Sequence, residues 1–146
     1  MPEPTEIRYN ELPPHDLAAE EAVLGSCFID FEALAKVAWL RPEDFYREKN
    51  QWVFSAMLKL HQEGKPTNQI IVGHALAQQG KLEAMGGAAY ISECIRLTPT
   101  SVHVKYYADI VKDCAERRQK LREADKLVRE AYKPKLPTKK LKAIET

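Results

Sequence analysis

The segment that decides the fold reads LPPHDLAAEEAVLG and spans residues 12–25. A helix is expected to begin at its Asp16, because that carboxylate can accept hydrogen bonds from the free amides of a first turn. Glu20 and Glu21 then lie near the positive end of the helix dipole, where acidic side chains are stabilising. The apolar residues that follow recur at helical spacing. The predicted buried face consists of Leu17, Val23, Leu24, Cys27 and Phe28.

Capping residues, prolines and glycines predict four further helices before residue 98. The second helix begins after Asp30 and is closed by Pro42, since the residue before a proline is driven out of the helical region. The third ends at Gly64. Asn68 caps the fourth, and Gly86–Gly87 opens the fifth. On the second helix, the residues expected to be buried are Phe31, Leu34, Val37 and Ala38.

A long helix is predicted from about Ser101 to Tyr132. Its apolar side chains recur close to a heptad spacing, with Arg117 as a charged interruption. Such a helix cannot bury its stripe alone, so the stripe is expected to pack against the same chain, against another subunit, or both. The segment 133–137 breaks the helix, and Thr138 can cap a further helix that is cut short. The seam residues predicted to mediate self-association are Tyr107, Ile110, Cys114, Leu121 and Val128.

These patterns predict an all-α fold in three parts. Residues 1–14 are expected to form a flexible arm, and residues 15–98 a compact helical head of five to six short helices. Residues 99–146 are expected to form a long helix that begins a helical hairpin. Residues 1–98 carry nine Lys/Arg and 14 Asp/Glu, whereas residues 99–146 carry 13 and seven. Halves of opposite charge indicate an oriented assembly, an acidic partner for the second half, or simply a solvated basic helix.

No catalytic or ligand-binding constellation is evident in the 146 residues. There is no phosphate-binding Gly-x-x-x-x-Gly-Lys-Ser/Thr motif, and the four histidines share no metal-ligand spacing with each other or with a cysteine. The three cysteines are far apart and are expected to be buried and reduced. The chain has no apolar run long enough to span a membrane and no secretory signal, so a cytoplasmic location is expected.

A basic cluster on the long helix is open to three interpretations. Arg117, Arg118 and Arg122 lie within one and a half turns, with further basic residues beyond them. They can follow a phosphate backbone, face an acidic partner, or be solvated. No aromatic side chain is interleaved among them, which disfavours a platform that stacks single-stranded bases.

Several motifs in a fixed order resemble the amino-terminal domain of the bacterial replicative DNA helicase, the DnaB family. Besides residues 12–25, they are the PEDFY motif at 42–46, Gly86–Gly87 followed by Tyr90, and YYADIV at 106–111. The resemblance extends from Leu12 to about Tyr132. The chain departs from the family pattern between residues 115 and 121, where the seam is more charged than is usual.

The resemblance implies a non-catalytic helical head followed by a helical hairpin. Hairpins of neighbouring subunits pair, and three pairs form a collar on a hexameric ring. The implied partners are the chain itself, primase and a helicase loader, with Tyr90 and Leu121 as candidate primase contacts. For Tyr90, packing within the head is equally open. ATP, Mg²⁺ and most DNA contacts are implied for a motor domain that the sequence lacks, and no cofactor is expected here.

Two other classes of protein remain open from the residues. One is a stand-alone basic helical protein that binds nucleic acid. The other is the helicase-binding domain of a primase, which also resembles a helical head with a hairpin. The segment 12–25 and the motif at 42–46 favour the helicase side.

Overall fold

A computed structural model describes residues 11–136 and contains six α-helices and a short 3-10 helix at Pro42–Asp44 in that part of the chain. None of these residues forms a strand, which confirms the predicted all-α class. In chain order the helices are α1 (Leu17–Ile29), α2 (Phe31–Val37), α3 (Glu48–Gln62), α4 (Gln69–Gln78), α5 (Gly87–Arg96) and α6 (Val104–Tyr132).

The predicted helix starts at Asp16, Asp30 and Asn68 and the predicted stop at Gly64 are confirmed, whereas α2 ends at Val37, before Pro42. Asp16, Asp30 and Asn68 each cap a helix, and each side chain accepts a hydrogen bond of 2.9–3.0 Å from an amide two or three residues ahead. Gly64 and Gly80 follow α3 and α4 with a φ of 71°, a left-handed conformation that favours glycine. Local hydrogen-bonding chemistry therefore sets where these helices begin and end.

Two sequence predictions were wrong in detail. Phe31 was predicted to be buried, but it is 60% exposed, and Ala33 is buried with Leu34 and Val37 instead. The reason is that α2 has only two turns, and its first residue points away from the face that packs on α1 and α3. The long helix begins at Val104, and residues 101–103 form a turn before it.

The compact helical head extends from Pro14 to Ala115, beyond the predicted boundary at residue 98. Its core is built mainly on α1, which packs against α2, α3 and α5. The start of α6 also contributes buried side chains to this core, so the head includes part of the long helix. As predicted, Phe45 holds the turn after Pro42 to the core: it is buried, and its ring centroid lies 4.9 Å from that of Phe54.

A buried carboxylate connects this turn to α6 within the head. Asp44 is almost fully buried and accepts a hydrogen bond of 2.8 Å from the backbone amide of Arg41. The ammonium group of Lys112 lies 3.3 Å from the same carboxylate. Because the carboxylate of Asp44 is shielded from water, loss of Lys112 would leave a buried charge without its cation, which is destabilising.

A second unit comprises residues 1–13 and 116–146, of which the structure describes 11–13 and 116–136. It contains the remainder of α6. Among residues 116–136, all side chains are exposed except Arg118, which is buried, and Val128, which is half-buried. The helix predicted from Thr138 and most of the predicted arm at 1–14 lie outside the described residues.

Candidate functional site

The outer part of α6 carries an exposed apolar strip, which we call the distal seam: Leu121, Ala124, Val128 and Ala131. These residues follow one another at intervals of three and four, so they share one face of the helix. Leu121 is 53% exposed, and both alanines are exposed. Val128 is half-buried, so the distal seam is an apolar surface that is exposed mainly at Leu121, Ala124 and Ala131.

The inner part of the predicted seam has a different environment. Tyr107 and Ile110 are partly buried against the core of the head, and Cys114 is 4% exposed. These three residues pack within the folded chain, whereas Leu121 and Val128 belong to the distal seam. A role of all five residues in self-association stays a prediction.

The predicted basic contact residues do not form one exposed patch. Arg118 is only 7% exposed, so its guanidinium is not part of the accessible surface. The side chain of Arg122 donates hydrogen bonds of 2.6 and 3.2 Å to the side-chain oxygen of Gln119. Arg117 is exposed. Contact of these residues with DNA or an acidic partner stays a prediction.

A buried polar network lies where α1, α3 and α5 meet. Glu20 is 1% exposed, and its carboxylate accepts hydrogen bonds from the backbone amide of Tyr46 at 2.7 Å and from the Asn50 side chain at 2.8 Å. A longer bond of 3.4 Å comes from the amide of Arg47, at the start of α3. Asn50 in turn accepts the hydrogen bond that the Tyr90 hydroxyl donates. A carboxylate is well suited here because it faces the positive end of α3.

Tyr90 is held inside the head by this network. It is 9% exposed, and burial raises the pKa of its hydroxyl above the ordinary range, so the group remains a protonated donor. The Lys49 ammonium lies 3.7 Å from the centre of the Tyr90 ring. Packing within the head is therefore observed for Tyr90, while its contact with primase stays a prediction.

Sequence reasoning missed Asn50 and Lys49 as partners of Tyr90. They lie 40 and 41 residues away along the chain, and only the packing of α3 and α5 against α1 brings them together. Glu20 lies in the first turn of α1, as predicted, and the structure shows that its carboxylate also accepts a hydrogen bond at the start of α3. The sequence feature that could have predicted the burial of Glu20 was its position among the apolar residues of α1.

The three cysteines are buried thiols, as predicted. Burial raises the pKa of the Cys27 thiol to about 12, and Asp30 adds to the effect. Burial likewise raises the pKa of Cys94 to about 11. Among the described residues, no group of three or more His, Cys, Asp or Glu side chains is arranged to hold a metal ion. None of the described helices is long and apolar enough to cross a membrane.

We expect stability to fall above pH 9 because of these thiols. Unfolding exposes Cys27, whose pKa then returns to about 9.0, so the unfolded state loses a proton that the folded state keeps. The free energy of unfolding is therefore unaffected below pH 9 and declines as pH rises towards 12, by about 1 kcal/mol at pH 10 for one such thiol. Urea unfolding at pH 8 and pH 10 measures this. Cys27→Ala should show a smaller decline, and an equal decline would contradict the assignment.

Taken together, the described residues form an all-helical fold with exposed apolar side chains on the outer part of its long helix. Residues 12–113 match the family model described as DnaB-like helicase N terminal domain, which is more than half of the chain. The chain therefore belongs to the DnaB-like helicase N-terminal domain family.

Two individual relatives support this assignment. The chain is 38% identical over 129 residues to the replicative DNA helicase DnaB of Geobacillus stearothermophilus. The aligned residues cover 88% of the chain and 28% of the relative. It is 35% identical over 129 residues to the replicative DNA helicase DnaC of Bacillus subtilis, with the same coverage of 88% and 28%. The chain thus spans about 28% of the length of these relatives.

Solved structures have the same fold. The N-terminal domain of DnaB helicase from Mycobacterium tuberculosis superimposes with a TM-score of 0.82 at 38% identity, covering 84% of this chain and 90% of that one. The N-terminal domain of DnaB from Helicobacter pylori, whose structure was described with its interactions with primase, gives a TM-score of 0.69 at 20% identity, covering 80% and 91%. The second likeness concerns the fold alone.

Proposed function

We propose that this chain is a non-catalytic module of a replicative DNA helicase that pairs subunits and docks primase. The observation that carries the proposal is the exposed distal seam on a helix of a chain that belongs to this family. Relatives named as replicative helicases support the setting in DNA replication. ATP and Mg²⁺ would then bind to a motor domain outside this chain. That domain would also make most of the contacts with DNA, and the protein would act in the cytoplasm.

Subunit pairing is the part that the distal seam supports directly. Burial of one Leu or Val side chain contributes about 1.5–3 kcal/mol, so Leu121 and Val128 from each of two copies offer a modest driving force. Association also costs several kcal/mol of translational and rotational freedom. Pairing through this seam alone should therefore be weak and should depend on concentration. In a ring of six, the same contact would be strengthened because it is repeated.

We expect Leu121→Glu or Val128→Glu to weaken self-association at least about tenfold, because each places a charge in the apolar contact. Gln119→Glu is the matched control, since it adds the same charge to an exposed side chain outside the distal seam. Sedimentation across a concentration series measures the dissociation constant, and circular dichroism checks that the head stays folded. Equal weakening by Gln119→Glu, or none by either seam variant, would contradict the role of the seam.

Docking of primase is proposed by analogy with structural neighbours. The Helicobacter pylori domain and a DnaB-like replicative helicase were each described with their interactions with primase. Tyr90 in the head and Leu121 on α6 are the proposed contacts, and a helicase loader is a further proposed partner. The test is calorimetric titration of this chain with the carboxyl-terminal domain of a primase. Measurable binding that Leu121→Ala weakens supports the proposal, and absence of binding contradicts it.

No observation favours the other two classes of protein, a stand-alone protein that binds nucleic acid and the helicase-binding domain of a primase. Arg118 is buried, and Arg129 is paired with Asp125 at 2.9 Å, which reduces the basic surface available to a phosphate backbone. Membership of the DnaB-like family places the chain on the helicase side, so it is not the helicase-binding domain of a primase.

A further inference from the structure

Two lysines of the head lie over aromatic rings beside the first turns of α3. Lys49 of α3 places its ammonium 3.7 Å from the centre of the Tyr90 ring. Lys81, in the loop after α4, places its ammonium 5.5 Å from the centre of the Trp52 ring. Lys49 and Trp52 are three residues apart on α3, so the two pairs are neighbours on one side of the helix. We call these four residues the cation–aromatic patch.

Both ammonium groups retain unused hydrogen-bonding capacity. Each has three donor hydrogens, and a ring face accepts a cation by electrostatic attraction without satisfying those donors. Neither lysine forms an ion pair with a residue that the structure describes. The nearest acidic residues in sequence, Glu48 and Glu83, are exposed and do not reach them. Glu21 lies close enough to Tyr90 to help raise the pKa of its hydroxyl, but no ion pair within the described residues neutralises either lysine. An incoming anion would therefore meet two ammonium groups that are free to form ion pairs.

The patch is held in place by the buried network beneath it. Asn50 is fully buried between the carboxylate of Glu20 and the hydroxyl of Tyr90. Because Lys49 precedes Asn50 directly, the position of its backbone is fixed with respect to the Tyr90 ring. A partner then finds this lysine already oriented, which lowers the entropy lost on binding.

We propose that the cation–aromatic patch binds carboxylates of an acidic, helical segment of a partner protein. A carboxylate can accept charge-assisted hydrogen bonds from each ammonium, and the half-buried Trp52 ring offers apolar surface beside it. Nucleic acid fits less well, because binding to a phosphate backbone usually uses about six to ten basic contacts. Here there are only two, Lys49 and Lys81. The inference deepens the docking role proposed above and rests on the head having a protein partner.

The test uses the emission of Trp52 as its signal. Trp39→Phe removes the other tryptophan, which is 46% exposed and lies in the segment after α2. The probes are a helical peptide of alanine and glutamate, the same peptide with glutamine in place of glutamate, and an oligothymidine strand. Lys49→Gln and Lys81→Gln remove the two charges. Lys59→Gln is the matched control, because it removes an exposed lysine elsewhere on α3.

We expect the glutamate peptide to change Trp52 emission saturably and the glutamine peptide to have no effect. Each patch variant should weaken binding about threefold and the double variant about tenfold, with Lys59→Gln unchanged. Binding should also weaken as salt is added. Equal binding of the glutamine peptide, an equal effect of Lys59→Gln, or absence of binding would overturn the proposal. Tighter binding of oligothymidine through the same lysines would reassign the patch to phosphate.

The same variants distinguish this inference from the docking role itself. If the primase domain binds the wild-type head and both lysine variants alike, docking stands and recognition of carboxylates by the patch fails. If the glutamate peptide binds through the two lysines but the primase domain does not bind, the patch stands and the choice of partner fails.

Discussion

Replacing Gly25 with alanine is expected to destabilise the head by about 2–4 kcal/mol. A side-chain carbon at this position would lie 2.1 Å from the Thr98 hydroxyl oxygen and 2.4 Å from the carbonyl oxygen of Cys94. Both distances are far below van der Waals contact. Gly25 therefore permits the close packing of α1 against α5 on which the core depends.

The matched control is Gly73→Ala in α4. An added side-chain carbon there meets no atom within 4 Å, so we expect stabilisation by about 0.4–1 kcal/mol from the lower entropy of the unfolded chain. Adding Thr98→Ala to Gly25→Ala should recover only part of the loss, because the carbonyl of Cys94 is backbone and cannot be removed. Urea unfolding measures all three, and a Gly25→Ala protein as stable as wild type would contradict the close contact.

Glu20→Gln is expected to lower the free energy of unfolding by about 2–3 kcal/mol. The carboxylate of Glu20 accepts from the amide of Tyr46 at one oxygen and from Asn50 and the amide of Arg47 at the other. A glutamine places an NH₂ group against donors whichever way its amide is turned. The substitution also removes a negative charge from the start of α3.

Glu21→Gln is the control for this prediction. Glu21 is the next residue on α1, and its nearest cation is Arg47 at 3.7 Å on a side chain that is 36% exposed. Loss of such a pair should cost no more than about 1 kcal/mol. Because Tyr90 also belongs to the network, Glu20→Gln should alter the signals of Tyr90 in an NMR spectrum. Equal effects of the two variants on stability would show that the network contributes little.

The order and type of the helices followed from the sequence because local chemistry sets them. The caps at Asp16, Asp30 and Asn68 use only neighbouring amides, and Gly64 stops α3 by a conformation of its own backbone. Such features are read correctly from a few adjacent residues. The membership of the DnaB-like family was also recognised from motifs of this kind.

The contacts of the candidate surfaces did not follow from the sequence, because they join residues distant along the chain. Periodicity placed Ile110 and Leu121 on one seam, yet it could not show that the first packs on the head while the second is exposed. Neither could a basic cluster show which of its members is buried, as Arg118 is. The prediction that Phe31 is buried was wrong for a related reason, because an apolar residue at the end of a short helix need not face the core.

The measurement that tests the pairing of subunits most directly is the solution mass of the wild-type chain over about two decades of concentration. If the distal seam of one copy covers that of another, sedimentation equilibrium should show a mass that rises from 16.7 kDa towards twice that value. Leu121→Glu should keep the lower mass over the same range. A wild-type mass that stays at 16.7 kDa up to the highest concentration would contradict the account.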